Sequence, residues 1–260
     1  MNVNGFDFSN KKVLITGASR GIGLGVARGF ANAHADLSII GTNDKVHETA
    51  SLLSRETSNV VEGIVCDIAD RDAVSRTVGQ LGSIDVLINN AGYERLTPIL
   101  QTGSEVEDLF RRIIDVNILG TYYVTREAVT KMASGSRIVI TASVWGKTGM
   151  GGFSAYCATK HANIGFMRAL ADELGPRGIT VNAVCPGWVR TDAAMRSLSI
   201  MADNEDRSEE DCLDEILSAQ AISGLMEPDD MASTYLFLAS DHASNITGQA
   251  LSVDRGELLA

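Results

Sequence analysis

The amino-acid sequence predicts an α/β protein: a doubly wound parallel sheet of about seven strands with helices on both faces. Three observations predict it. Short runs of Val, Ile and Leu alternate with longer stretches of helical periodicity almost from end to end, and that alternation builds parallel sheets with right-handed crossovers. The runs are continuously apolar, as strands buried on both faces must be. No linker composition interrupts them, so residues 1–260 read as a single domain.

The elements follow in order. Lys12–Thr16 (KVLIT) is the first strand. It runs into Thr16-Gly-Ala-Ser-Arg-Gly-Ile-Gly23, a glycine-rich turn, and then a helical pattern over Gly23–Ala33. Leu37–Ile40 is the second strand, with a helix over Asp44–Glu56; Val60–Cys66 is the third, with a helix over Arg71–Leu81. Ile84–Ile88 is the fourth, and a single long helix is predicted over Ser104–Met132. Arg137–Ala142 (RIVITA) is the fifth strand, followed by a helix over Ala155–Leu174. Thr180–Val184 is the sixth, Pro228–Ala239 the last large helix and Ala250–Val253 the seventh strand. Thr191 to Gly224 breaks the rhythm. It is rich in acids, and only Asp211–Ala221 has a helical pattern, through Leu213, Ile216 and Leu217. Long connections in compact domains are usually functional or disordered. This one leaves the carboxyl end of a strand, where doubly wound sheets bind ligands, so residues 191–224 are expected to form a substrate lid rather than a solvated insertion.

The composition is that of an ordinary globular domain, 45% hydrophobic and 21% charged. A net charge of −11 argues against nucleic acid or an anionic membrane as partner. No apolar run approaches the ~18 residues of a membrane span, and Met1 to Asn10 has neither a basic nor an apolar leader pattern. Cys66, Cys157, Cys185 and Cys212 form no Cys-x-x-Cys pair, so they are expected to be buried thiols and no metal site is predicted. A cytoplasmic location is expected.

Two features carry chemistry. Gly17, Gly21 and Gly23 depart from G-x-G-x-x-G, with Val26 where the third glycine would fall. Glycines there still let the backbone turn tightly and approach a phosphate resting on the next helix N-terminus. The second feature is Tyr156 with Lys160 four residues on and Ser143 thirteen residues upstream. Residues four apart share a helix face. A free tyrosine titrates near ~10, and a neighbouring ammonium would lower that. Ser143 could then hold a carbonyl oxygen while Tyr156 gives or takes its proton. A lone Tyr-x-x-x-Lys pair would more often be a half-buried tyrosine beside a surface lysine.

TGASRGIG, the NNAG of Asn89–Gly92, Asn117 in DVN, Ser143, YCATK and the CPG of Cys185–Gly187 occur in this order. Together they resemble the short-chain dehydrogenase/reductase family over roughly Lys12 to Asp254. The likeness is greatest to its beta-ketoacyl-carrier-protein reductase and polyketide ketoreductase branch. The resemblance implies a Rossmann-type domain and a role for each matching residue. Tyr156 would be general acid in carbonyl reduction and general base in alcohol oxidation. Lys160 would lower the tyrosine pKa and bind the nicotinamide ribose, Ser143 would hydrogen-bond the substrate oxygen, and Asn117 would support a proton-relay water. Cofactor contacts would come from Gly17, Ser19, Arg20, Gly21, Ile22 and Gly23. Thr42 and Asn43 would add to them, with Asp67 and Ile68 at the adenine. Asn90, Ala91 and Gly92, and then Pro186, Gly187, Val189 and Thr191 would complete them. Trp188 would pack against the lid or wall the substrate.

Cofactor choice turns on the end of the second strand. Thr42 stands where NAD enzymes of this type place an acid, and Arg20 lies in the glycine loop. NADP(H) is therefore favoured, with NAD(H) kept open by Asp44, which is equally a helix cap. The family's usual VDGG reads Val253-Asp254-Arg255-Gly256 here. Arg255 would face solvent or bind an anionic substrate group. Of the basic pair that docks an acidic carrier protein, Arg177 matches one member, but Ser134 replaces the other. The expected activity is NAD(P)(H)-dependent interconversion of a ketone, 3-oxoacyl included, and a secondary alcohol. A sugar, polyol or small-alcohol dehydrogenase is the alternative, and a non-catalytic nucleotide-binding scaffold a distant third. The long helices Ser104–Met132 and Ala155–Leu174 imply a homotetramer or homodimer by resemblance.

Overall fold

A computed structural model describes residues 5–259, so the first four residues of the polar start lie outside the described part. β1 (Lys12–Thr16), β2 (Asp36–Gly41), β3 (Val61–Val65), β4 (Val86–Asn89), β5 (Arg137–Thr141), β6 (Thr180–Pro186) and β7 (Ala250–Val253) form one sheet. Every pairing is parallel and the order is β3-β2-β1-β4-β5-β6-β7. The chain winds outward from β1 to β3, returns to the centre at β4 and winds the other way. A crevice must open where the direction reverses, beyond the carboxyl ends of β1 and β4.

Register sorts the side chains into two cores. Val13 pairs with Val86 and Ile15 with Ile88, and these face α1 (Gly21–Asn32), α2 (Lys45–Thr57) and α9 (Ala232–Ala239) through Phe30, Leu53 and Tyr235. Leu14 and Leu87, one residue out of phase, face the opposite side. There they meet α3 (Arg71–Gln80), α5 (Thr121–Val129) and α6 (Ser154–Leu174) through Val78, Val124 and Met167. Burial on both faces explains the continuous apolar runs, each large side chain contributing roughly 1.5–3 kcal/mol.

Strand boundaries differ from expectation by a residue or two, as ends do; β4 begins at Val86, two residues late. Three helical segments differ in kind. The single helix expected over Ser104–Met132 is α4 (Ser104–Ile114), a π-helical turn (Asp115–Gly120) and α5. Residues 191–224 hold two helices, α7 (Asp192–Glu205) and α8 (Glu209–Ser218), where only the second had a pattern. Pro228–Met231 is a 3₁₀ turn ahead of α9.

The π turn admits one extra residue and redirects the face around Asn117. It also brings Gly120 against Ile68, where an added Cβ would sit 2.7 Å from Cγ1 and 3.1 Å from the carbonyl oxygen. Gly120→Ala is therefore expected to destabilise the protein by about 2 kcal/mol through overpacking. Urea unfolding would read this as a lower midpoint at unchanged slope; an unchanged midpoint would show that Ile68 yields freely.

Candidate active site

The crevice is a cavity of about 590 Å³. On one side lies the glycine turn. Gly17 has φ +68°, and a Cβ there would lie 2.6 Å from Ala91 Cα, so only glycine fits. The turn leads to the N-terminus of α1, whose first amides receive no side-chain cap. Such a terminus suits a phosphate. Asn90 fixes the geometry: its Nδ2 donates to the carbonyl oxygens of Thr16 and Gly17, both at 3.1 Å. In return Thr16 Oγ1 accepts from the backbone nitrogens of Asn90 and Ala91 at 3.1 and 3.0 Å.

On the other side stand Ser143, Tyr156 and Lys160. Ser143 follows β5, and its Oγ accepts from Trp145 N at 3.1 Å. Tyr156 and Lys160 lie on one face of α6. Lys160 is buried; its Nζ donates to Thr141 O at 2.7 Å and sits 5.4 Å from the centroid of the Tyr156 ring. Asn117 is buried behind this group. Its Oδ1 accepts from Tyr93 N at 2.7 Å, and its Nδ2 donates to Tyr93 O and Thr159 Oγ1, both at 3.0 Å. The Cβ position of Gly92 is 3.5 Å from Lys160 Nζ and 3.6 Å from Asn117 Oδ1. The π turn thus ties α6 and the loop after β4 to one amide.

Electrostatics here differ from the sequence expectation. Burial raises the Tyr156 phenol above its ordinary value, and the Glu94 charge adds to this; the neighbouring Ser143 hydroxyl pulls the other way. Lys160 is not what sets that value. Burial also lowers the Lys160 ammonium to about 8. At neutral pH the site holds a protonated phenol, a proton donor for a developing oxyanion.

A dinucleotide fits these residues: a cradle that a Cβ would fill, an uncapped helix end, and donors at the far end of the cavity. The comparisons agree. The family model described as Enoyl-(Acyl carrier protein) reductase matches residues 17–257. A 3-oxoacyl-acyl-carrier-protein reductase of Chlamydia muridarum is 35% identical over 254 residues, covering 95% of this chain and 97% of its own. The chain is a short-chain dehydrogenase/reductase. It is an oxidoreductase acting on the CH–OH/C=O couple. Among solved structures, a putative NAD(P)-dependent gluconate 5-dehydrogenase of Beutenbergia cavernae with bound NADP has 34% identity and a TM-score of 0.88. It covers 98% of this chain and 99% of that one. L-Sorbose reductase of Gluconobacter frateurii, complexed with NADPH and L-sorbose, has 26% identity, a TM-score of 0.88 and the same coverage.

Most of the residues expected from sequence line the cavity of this dehydrogenase/reductase. They include Ser19, Arg20, Gly21, Ile22, Gly23, Thr42, Asp67, Ile68, Gly92, Pro186, Gly187, Val189 and Thr191. Two do not. Asn43 turns away: its Oδ1 accepts from Lys45 N at 3.2 Å, capping α2, a duty that Asp44 does not perform with its side chain. Asn117 lies one layer behind the surface. Arg255 is outside the cavity and half-buried. It takes φ 55° where the family places glycine, and its Nη1 donates to Ser223 O at 3.1 Å. That bond ties it to the segment after α8. Arg177 donates to Met132 O and Val129 O at 2.9 and 3.1 Å, closing the end of α5. Trp188 is buried beneath α7, 6.2 Å from the Trp145 ring, and also walls the cavity.

Sequence reasoning missed Arg112, whose Nη2 pairs with Asp67 Oδ2 at 2.6 Å. It also missed Glu94, whose Oε1 accepts from Ser197 Oγ on α7 at 2.6 Å. Neither carries a motif, and their partners are 45 and 103 residues away.

The fall of the Lys160 pKa from 10.5 to about 8 corresponds to a penalty of about 3 kcal/mol on the folded state. The sign follows from proton binding. Between about 8 and 10.5 the unfolded chain holds more protons, so this group makes stability rise with pH; below 8 the penalty is complete. Lys160→Met is expected to stabilise the cofactor-free protein at pH 7 and remove that rise, while lowering kcat at least 10²-fold. Denaturant titrations at several pH values, beside steady-state rates, check both halves.

Proposed function

We propose that this chain uses NADP(H) to interconvert a small ketone and its secondary alcohol, with Tyr156 as acid/base. The observation that carries this reading is the placement of Ser143 and the protonated Tyr156 in the same cavity as the glycine cradle. NADPH, when bound, supplies the hydride to the carbonyl carbon. Tyr156 gives its phenolic proton to the carbonyl oxygen, and Ser143 steadies that oxygen as charge develops. Lys160 binds the nicotinamide ribose and supplies positive charge beside the phenol. Asn117 holds α6 and the loop after β4 in register. The remaining cavity residues, from Gly17 to Thr191, hold the dinucleotide.

Several observations support NADP(H). The cavity has Thr42, not a carboxylate, at the end of β2. Arg20 lines the same cavity, exposed and only loosely paired with Asp192 at 3.7 Å, which leaves its guanidinium available to a 2′-phosphate. Similar solved structures hold NADP or NADPH.

For the substrate, the 3-oxoacyl reading draws on the Chlamydia relative. Docking of an acidic carrier is less well supported, because Arg177 is committed to α5 and the chain carries −11 net charge. The gluconate and sorbose enzymes favour the second reading, a sugar or polyol couple. A lid role for residues 191–224 is supported by Ala193, Ala194 and Arg196 of α7, which line the cavity, and by Leu198, Ala202 and Cys212, which pack α7 and α8 with Trp145 and Trp188. Assembly as a homotetramer or homodimer is supported by Phe110, Leu119 and Tyr122, exposed on α4, the π turn and α5. A cytoplasmic location is supported by four unpaired, buried cysteines.

Two outcomes are expected. NADPH binds at least tenfold more tightly than NADH by fluorescence titration, and a preference for NADH would assign the site to NAD. Tyr156→Phe lowers kcat for ketone reduction by at least 10²-fold while NADPH affinity stays within about twofold; retained turnover would remove Tyr156 from its role.

A further inference from the structure

We propose that Glu94 accepts a hydrogen bond from a hydroxyl group beside the reacting carbonyl, making small hydroxyketones and the matching polyols the substrate class. The inference rests on the ketone–alcohol reading above and deepens it.

Glu94 stands in the loop after β4, half-buried, and lines the same cavity as Tyr156. It is close enough for its charge to act on the phenol. Oε1 is taken by Ser197 Oγ at 2.6 Å. Oε2 has no hydrogen-bond partner among the described residues. Val144, Trp145, Trp188 and Ala194 give the cavity apolar walls, and Arg95 and Arg196 line it as well. A plain alkyl ketone closed into this space would take water from that oxygen and bring no donor of its own. Leaving a charged acceptor unpaired is expensive. Sites built around such a group discriminate strongly against the analogue that lacks the donor. A hydroxyl on the carbon next to the carbonyl supplies the donor.

Competing donors fit less well. An ammonium group would enter beside Arg95 and Arg196, which line the same cavity and already act on the Glu94 carboxyl. A carboxylate at that position would meet Glu94 itself. A neutral hydroxyl avoids both repulsions. A latch between the loop and α7 would need only the oxygen that Ser197 uses, and Oε2 stays open to a ligand.

The test compares reduction of 1-hydroxy-2-butanone, 2-butanone and an acetoacetyl thioester by the full chain with saturating NADPH. The readout is the ratio of kcat/KM for the hydroxyketone to that for 2-butanone. In the unsubstituted protein the ratio is expected to be on the order of 10². Glu94→Ala brings it near one, mainly through KM for the hydroxyketone. Glu94→Gln, which keeps the shape without the charge, lowers it about tenfold and serves if the alanine variant does not fold. Ser197→Ala breaks the same contact from the α7 side and keeps the ratio. The proposal is overturned if the unsubstituted protein ignores the hydroxyl or prefers the thioester. It is also overturned if the Glu94 and Ser197 variants depress both ketones alike, which would make Glu94 a latch only. Absence of turnover on all three substrates would overturn it together with the ketone–alcohol reading, whereas the other failures leave that reading standing.

Discussion

The site depends on one bridge across the middle of the sheet. β1 and β4 are neighbours, yet the chain leaves them toward opposite edges. Their carboxyl ends therefore part, and the carbonyl oxygens of Thr16 and Gly17 lose strand partners just where a ligand must approach. Asn90 meets both with a single amide, and Thr16 answers through its hydroxyl. Four hydrogen bonds across the switch point do what a fourth rung of the ladder cannot. They hold the glycine turn against Ala91 at a spacing that only a residue without Cβ permits. The position of α1, and with it the phosphate-facing amides, follows from this bridge.

A second constraint is electrostatic. Tyr156 has a buried ammonium on one side and a half-buried carboxylate on the other. Each charge is unfavourable in isolation. Lys160 finds one carbonyl, Thr141 O, and Glu94 finds one hydroxyl, Ser197 Oγ. Both keep unused hydrogen-bonding capacity that faces, or lies just behind, the cavity. Groups of this kind detract from the stability of the empty protein and become useful when a ligand completes them. Burial and the Glu94 charge together keep the phenol neutral against the pull of the Ser143 hydroxyl, and that is the form required of a proton donor.

Much of the frame was legible in the sequence, for reasons that particular residues make plain. Strands such as Arg137–Thr141 are apolar without interruption because both faces are covered, and that signal survives any detail of packing. Gly17, Ser143, Tyr156 and Lys160 could be singled out because they fall in short motifs whose order along the chain resembles one family, where each spacing alone is a weak signal. The π turn could not: one extra residue barely disturbs the apolar period on either side of Asn117, and its cause is the distant contact of Gly120 with Ile68. α7 was hidden for a related reason. Its inward residues, Leu198 and Ala202, pack on Trp145, Phe153 and Trp188 and not on the sheet. No pattern local to residues 191–205 announces that surface. The capping of α2 by Asn43 was not read because a cap and a ligand contact ask for the same residue type at the same kind of strand end.

The two halves of the cavity are built from different materials, and this bears on how the fold takes new substrates. The glycine side is made largely of backbone: tight turns, helix amides and the amide of Asn90. Its fit depends on the absence of side chains, so few substitutions are tolerated. The opposite mouth is made of side chains: Glu94 from the loop after β4, Trp145 from the turn after β5, Trp188 from the loop after β6 and Ala194 from α7. Its elements meet through a small separate core and one hydrogen bond, Ser197 to Glu94. They can change without disturbing the register of β1 and β4. A carboxylate introduced there alters which carbonyl compound fits while the cradle and the Tyr156–Lys160 face stay as they are. The likeness of this chain both to a 3-oxoacyl reductase and to a sorbose reductase is what that division predicts. In the proposed reading the glycine side would hold the dinucleotide, the Tyr156–Lys160 face would supply the proton, and the side chains at the mouth would decide the rest.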